Sequence, residues 1–363
     1  MTLGRALLVL TAGSLSGLAL VASAAGTTAT YGKKVVHLQQ RVGALAVDGN
    51  RVAYDLGARY STQSNAVNRV LVWNVRTGKT IKVSGRKTGV GDGTSTGAGV
   101  FQLAIASSRV AWLLNEGGNL EATDYLFTSS VTHPKERQAA SALRSGENCP
   151  GRNVAGCAGA WLGGLVGSGN VIALNRWTTD SQGDMTSGGL YAIEGTQTKS
   201  IATGAGTVSA VSADGGREAV LRSDGSVAVY SQSGSVLATV NPPSAEAVAL
   251  SGKNLVVLSK GRTLELYDAH TGALQKTLSS HGKGGPEDLD VQGNLATYTS
   301  NSSVRAVNLS SGKDRVVGTL GNRIAFARID SAGLAYAANG TRARFGTSTL
   351  VFVPLARVKA AVS

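Results

Sequence analysis

Residues 247–278 read AVALSGKNLVVLSKGRTLELYDAHTGALQKTL. Short apolar runs are separated by Ser251-Gly252-Lys253-Asn254, Ser259-Lys260-Gly261-Arg262 and His270-Thr271-Gly272. Apolar runs of this length, bounded by glycine-bearing polar clusters, are the signal of strands joined by tight turns. The run 255–258 is continuously apolar, as a strand buried on both faces should be, whereas Leu264-Glu265-Leu266 alternates. Residues 246–278 therefore form one unit of four antiparallel strands.

The same phrase recurs along the chain. Residues 43–84 form a first unit, with an Asp48-Gly49-Asn50 turn and a polar insert at 57–68. A connector at 85–99 leads to a second unit, which starts at Phe101, runs through 110–114, 125–131 and 138–143, and closes on a cysteine loop. A third runs from Trp161 through 171–174, an insert at 175–189, then 190–193 and 199–202. Residues 208–240, 246–278 and 288–320 are compact fourth, fifth and sixth units. The seventh has strands at 324–329, 334–337 and 350–353, an insert at 339–349 and no evident fourth strand. Trp73-Asn74-x-x-Thr77-Gly78, Tyr267-Asp268-x-x-Thr271-Gly272 and Val307-Asn308-x-x-Ser311-Gly312 superimpose without gaps. A four-stranded unit recurring about every 35–50 residues is the signature of propeller blades.

The aromatic-Asp/Asn-x-x-Thr/Ser-Gly phrase resembles the WD40, YVTN and quinoprotein-like β-propellers, over nearly the whole chain after its first residues. The Gly-His and Trp-Asp pair of WD40 blades is mostly missing, and so is the tryptophan-docking pattern of quinoproteins, so no quinone cofactor is expected. The resemblance implies an all-β fold, a seven-bladed β-propeller of four-stranded antiparallel blades. Residues 33–38 (Lys-Lys-Val-Val-His-Leu) are a strand with no hairpin partner. In propellers closed by an N-terminal strand, such a segment completes the last blade and removes an open edge.

The first residues address the compartment. Met1–Arg5 carry one positive charge, 6–21 are apolar with a few Ser, Thr and Gly, and Ala22-Ser23-Ala24 fits a cleavage site. The expectation is a signal peptide at 1–24, one propeller domain at 25–363, and a secreted or extracytoplasmic protein. The competing reading, an uncleaved anchor, is opposed by Thr11, Ser14, Ser16 and Gly17. The 2 cysteines, Cys149 and Cys157, lie in one short Gly- and Pro-bearing stretch. In an exported chain such a pair reads as a disulfide; free thiols or zinc ligands are the alternatives. The formal charge is +13, but the Lys and Arg are scattered, with no block of five like charges. That describes a basic surface that attracts anions, not a nucleic-acid arm.

Topology locates the functional face. In a blade with strands A (innermost) to D (outermost), A–B and C–D turns share one face, and B–C loops and D–A connectors share the other. The long insertions fall on the second face: 57–68, 175–189 and 339–349 as B–C, and 85–99, 145–160 and 280–287 as D–A. Elaborate loops at one end of a rigid scaffold are where binding usually resides. Arg59, Tyr60, Trp177, Asp180, Asp184, His281, Glu287, Asp288, Arg342 and Arg344 are the candidate ligand residues around the channel mouth. Trp177 leads them, either contacting a ligand or capping the blade beneath it.

Catalytic motifs are thin. Gly93-Thr94-Ser95-Thr96-Gly97 fits G-x-S-x-G, but no strand–turn–helix surrounds it. His37, His133, His270 and His281 do not have metal-ligand spacing, and Asp180-x-x-x-Asp184 lacks the acidic series of a calcium loop. Glu287-Asp288-x-Asp290 is the densest acidic cluster and could bind a cation, act as acid and base, or terminate a connector. No catalytic residue, metal or cofactor is assigned. The residues favour a secreted binding or scaffolding module, with a propeller-type lyase or hydrolase as the alternative. A protein, a peptide or an anionic envelope polymer are the partners expected, with no specific nucleic acid and no membrane span after signal removal; the chain itself is expected to be a monomer.

Overall fold

The computed structural model describes residues 33–57, 69–85, 97–118, 120–146, 149, 156–203, 208–260, 263–281, 287–340 and 346–363. All lie in one compact unit, Tyr31–Ser363. The segment read as a signal peptide, most of the insert at 57–68, residues 341–345 of the insert at 339–349, the G-x-S-x-G serine and most of the connector at 85–99 lie outside the described residues.

In chain order, β1 (Lys34–Leu38) is followed by unit 1, with β2 (Leu45–Asp48), β3 (Arg51–Leu56), β4 (Arg69–Asn74) and β5 (Thr80–Lys82). Unit 2 has β6 (Gly97–Ala106), β7 (Arg109–Gly117), β8 (Glu121–Ser130) and β9 (Arg137–Ser145). Unit 3 has β10 (Ala158–Ser168), β11 (Val171–Thr179), β12 (Met185–Glu194) and β13 (Gln197–Thr203). Unit 4 has β14 (Val208–Asp214), β15 (Arg217–Arg222), β16 (Val227–Ser231) and β17 (Val236–Val240). Unit 5 has β18 (Ala245–Ser251), β19 (Asn254–Ser259), β20 (Thr263–Asp268) and β21 (Leu274–Ser279). Unit 6 has β22 (Glu287–Gln292), β23 (Leu295–Ser300), β24 (Ser303–Asn308) and β25 (Asp314–Thr319). Unit 7 has β26 (Ile324–Ile329), β27 (Gly333–Asn339) and β28 (Ser348–Pro354), and a short helix α1 (Leu355–Ala361) follows.

Consecutive strands pair antiparallel within each unit. Units 1, 4, 5 and 6 are separate four-stranded sheets, and units 2 and 3 merge into an eight-stranded sheet through β9 and β10. The strand expected to lack a hairpin partner finds one at the other end of the chain. β1 pairs with β28 from Lys34↔Phe352 to Leu38↔Ser348, which makes the last sheet four-stranded.

The turn phrase has a physical cause repeated at each occurrence. Asn74 Oδ1 accepts the N–H groups of Arg76 and Thr77 at 3.0 Å, and Asp268 Oδ1 accepts those of His270 and Thr271 at 2.9 Å. Asn308 does the same for Ser310 and Ser311 at 3.0 and 3.1 Å. The chain then reverses through Gly78, Gly272 and Gly312 at φ 78°, 72° and 76°, a backbone region that disfavours residues with a Cβ. Each phrase thus needs an Asx acceptor at its start and glycine at its end.

Packing follows the strand order. β19 is buried at every position, while outermost β5 is largely exposed. Apolar clusters join unit 1 to 2, 2 to 3, 3 to 4, 4 to 5, 5 to 6 and 6 to 7. A further cluster joins Ala335, Ala337, Leu350 and Phe352 of unit 7 to Leu45, Val52, Tyr54 and Trp73 of unit 1. Helix α1, which the sequence analysis did not anticipate, puts Val358 into the cluster between units 6 and 7.

One sequence reading changes. The segment 175–189, expected as a B–C insert, is mostly paired: β11 and β12 continue their ladder past Trp177↔Gly188 to Thr179↔Met185. Only 180–184 form the turn. Backbone pairing extends the hairpin even though, apart from Trp177 and Met185, its side chains there are polar or absent.

Candidate functional site

The expected site residues fall into separate places. Arg59, Tyr60, Arg342 and Arg344 lie outside the described residues, and so does the side chain of Glu287. Asp180 holds the β11–β12 turn: its Oδ1 accepts the N–H groups of Gln182 at 3.0 Å and Asp184 at 2.9 Å. The His281 N–H donates to Tyr298 Oη and to Asp314 Oδ2, both at 3.1 Å, and its Nδ1 lies 3.2 Å from the same carboxylate. That carboxylate is buried and also receives Tyr298 O–H at 2.5 Å and Arg305 Nε at 2.9 Å. Burial and the Asp314 charge push the Tyr298 phenol well above its usual range.

Trp177 closes a stack. Arg144, fully buried, pairs with Asp124 at 2.9 Å and places its guanidinium 4.0 Å from the Trp161 ring centre. Trp161 and Trp177, directly opposite each other on β10 and β11, stack at 6.0 Å with planes 4° apart. Trp161 Nε1 donates to Thr179 Oγ1 at 2.9 Å, which donates to Cys157 O at 2.7 Å. The Cys149–Cys157 disulfide forms, with Cα atoms 5.1 Å apart, and lies in the same cluster. Gly159 is required where β10 meets β9, because a Cβ there would sit 2.6 Å from Leu143 O. Trp177 is thus half-buried against the sheet, and its Nε1 has no hydrogen-bond partner among the described residues.

Asp288 is the one described candidate that lines the central cavity, a space of about 570 Å³ bounded by the first strands of all seven units. Its geometry shows a rule. A polar side chain on one inner strand accepts a backbone N–H from the inner strand of the next unit. Gln102 accepts from Leu165 at 2.9 Å, Ser212 from Leu250 at 2.9 Å, Asp288 from Ala327 at 2.6 Å and Asp290 from Ile329 at 2.8 Å. At the A–B turns Asp48 accepts from Ser107 at 2.5 Å, Ser168 from Gly215 at 3.3 Å and Ser251 from Gly293 at 2.9 Å. Asp214 does so from Gly252, and Asp330 of unit 7 from Gly49 of unit 1. Three residues on, Arg51 donates to Ser107 O at 2.6 Å and Asn254 to Gly293 O at 2.8 Å, so the neighbouring turn is gripped at both N–H and C=O.

The acidic cluster is built into this ladder. Asp288 adopts φ 49° and also pairs with Arg328, while the partly buried Asp290 is pushed up to about 6 by desolvation. Arg328 and the N–H groups of Ile329 and Val291 oppose that rise. Both carboxylates therefore join units 6 and 7 along the cavity wall.

No protein-family model matches the chain, and no curated protein matches it. Among solved structures, a chain from the crystal structure of a mitotic checkpoint complex superimposes with a TM-score of 0.55 at 15% identity, over 97% of this chain and 99% of that one. The fold is β-propeller-like. A computationally designed protein, Ika8, also aligns, at a TM-score of 0.49 and 13% identity over 87% of this chain and 97% of its own. On the likeness to the checkpoint-complex chain, the units are called blades. Since 1111 solved chains match, the likeness identifies a widely used scaffold and leaves function to the loops and clefts.

Two features escaped the sequence reading. The inter-blade grip is written as Asp48-x-x-Arg51, Asp214-x-x-Arg217 and Ser251-x-x-Asn254, a spacing visible in the repeats once the turns are aligned. The Arg144–Trp161–Trp177 stack left only a weak signal, an arginine in an outer strand before the cysteine loop and two tryptophans after it.

Proposed function

We propose that this chain is an exported, seven-bladed β-propeller, one domain over 25–363, that works as a binding or scaffolding module through its B–C and D–A loop face. Closure into a ring is supported by the Asp330–Gly49 contact, the apolar cluster between the last and first units, and β1 on β28. Propeller-like folds serve in general as interaction scaffolds. Export is supported by the A-x-A segment at 22–24 and by a disulfide that persists in oxidising compartments. Among the described residues no helix is long and apolar enough to cross a membrane.

The observation that carries the loop face is the unequal height of the blades. β10 has 11 residues, and β6, β8 and β12 have 10, against 7 in β18 and 6 in β22. All inner strands end at their A–B turns, so the extra length projects from the opposite face, by about 10 Å at the usual strand rise. The Arg144–Trp161–Trp177 stack and the disulfide brace this projection, and a rigid wall beside loops is suited to holding a partner. A protein, a peptide or an anionic envelope polymer are the occupants this basic surface fits.

A thermal-shift screen of residues 25–363 tests this, using envelope polymers, peptides and envelope extract at low and moderate salt. A saturable shift that survives salt, and that is lost in Trp177→Ala and in the exposed neighbour Arg176→Glu, is expected. A shift seen only at low salt, or one indifferent to both variants, would refute the assigned face.

A further inference from the structure

On the opposite face the C–D connections of blades 2, 3 and 4 lack the Asx-x-x-Thr/Ser-Gly turn, and that of blade 2 runs 131–136, Val-Thr-His-Pro-Lys-Glu. Hydroxyls at the end of β8 shape it. Ser130 Oγ accepts the N–H groups of Thr132 at 3.2 Å and His133 at 3.4 Å, and Ser129 Oγ accepts that of Lys135 at 3.1 Å.

Across from this loop stands the C–D turn of blade 3, at 194–197. Two bonds set the distance between them: Thr128 Oγ1 to Gly195 O at 3.2 Å, and Arg109 Nη1 to Ile193 O at 2.9 Å. The open cleft between them has a volume of about 390 Å³, within the range of about 300–1,000 Å³ typical of small-molecule sites. Val110, Ile172 and Ile193, all buried, form an apolar floor. Arg109, His133, Lys135 and Arg137 form the wall, and among the described residues no Asp or Glu lines the cleft.

The nearest carboxylates in sequence are engaged elsewhere. Glu136 accepts the Gly85 N–H at 3.0 Å, toward blade 1, and Glu194 lies 3.8 Å from Lys199. Among the described residues, none of His133, Lys135 and Arg137 is paired with a carboxylate. Cations gathered around a concave, partly apolar space repel one another, and an anion seated between them relieves that repulsion. Several cations suit a dianion better than a single carboxylate, and the apolar floor asks for a body behind the charge.

We propose that this inter-blade cleft binds a small organic phosphate, with its phosphoryl group at Lys135 and Arg137 and its apolar body over Val110, Ile172 and Ile193. The site is separate from the loop face and does not depend on it. The test is calorimetric titration of residues 25–363 with phenyl phosphate, inorganic phosphate and benzoate in phosphate-free buffer at moderate salt. Saturable binding of phenyl phosphate is expected, at least tenfold tighter than that of inorganic phosphate or benzoate. Lys135→Gln/Arg137→Gln, both exposed, should weaken it at least tenfold without moving the melting temperature, and Arg176→Glu on the other face should leave it unchanged. Failure of phenyl phosphate to saturate, equal affinity for inorganic phosphate, or wild-type affinity in the double variant would each overturn the assignment.

Discussion

Glu218→Gln should make the protein more stable at alkaline pH and leave it unchanged in acid. Glu218 lies on β15, opposite Ala213 on β14 and Tyr230 on β16, on the same face as Val220, which packs into the cluster between blades 3 and 4. Its side chain is fully buried, neither oxygen has a hydrogen-bond partner among the described residues, and desolvation alone pushes it up from 4.5 to about 7. A carboxyl whose proton is held more tightly in the folded state adds stability that is complete below its unfolded value. That stability is lost as pH rises through the folded value. The window is therefore about pH 4.5 to 7, and a rise from 4.5 to about 7 corresponds to about 3 kcal/mol. Glutamine mimics the neutral acid in shape and cannot ionise. Urea unfolding should show the two proteins equal at pH 4 and the variant ahead by about 3 kcal/mol at pH 8, or about 4 °C in melting temperature for a chain of this size. A variant less stable at pH 8, or equally altered at both pH values, would refute a buried, unpartnered carboxylate there.

Two other perturbations bear on the Arg144–Trp161–Trp177 stack. Arg144→Met should cost about 3–5 kcal/mol by leaving the buried Asp124 charge without its ion pair, and Asp124→Asn/Arg144→Met should recover part of the loss; a double variant as unstable as Arg144→Met alone, or less stable, would contradict this. Reducing Cys149–Cys157 should lower stability by about 2–3 kcal/mol on the loop-entropy estimate, because it closes a short connector, and should leave the far-UV spectrum unchanged; loss of the β signal on reduction would show the bond holding more than its loop.

Much of the fold is legible because its rules are local. The Asx-x-x-Thr/Ser-Gly phrase encodes one turn in three blades, and continuous apolar runs such as 255–258 mark strands covered on both sides. The unmatched strand at 33–38 pointed to a partner at the chain's end, and β28 is that partner. What stayed hidden depends on distant partners. Polarity at Asn175 and Thr178 reads as a loop, yet backbone pairing carries β11 and β12 onward regardless of which side chains they bear. Asp288 and Asp290 stand out as acids, but the N–H groups they accept belong to Ala327 and Ile329, 39 residues along in each case. A spacing in sequence does not show which blade comes next in space. The basic cleft is similarly dispersed, since Arg109 and Arg137 become neighbours only when β7, β8 and β9 align.

Ring closure is the claim on which the loop face and the central cavity rest. Its most direct test is hydrogen–deuterium exchange of residues 25–363, followed at residues 34–38 of β1 and 348–354 of β28. Amides hydrogen-bonded between these strands should exchange only with global unfolding, as slowly as those of β19. Exchange in β1 at the rate of an unstructured peptide, with β19 still protected, would mean that the first strand does not close the ring.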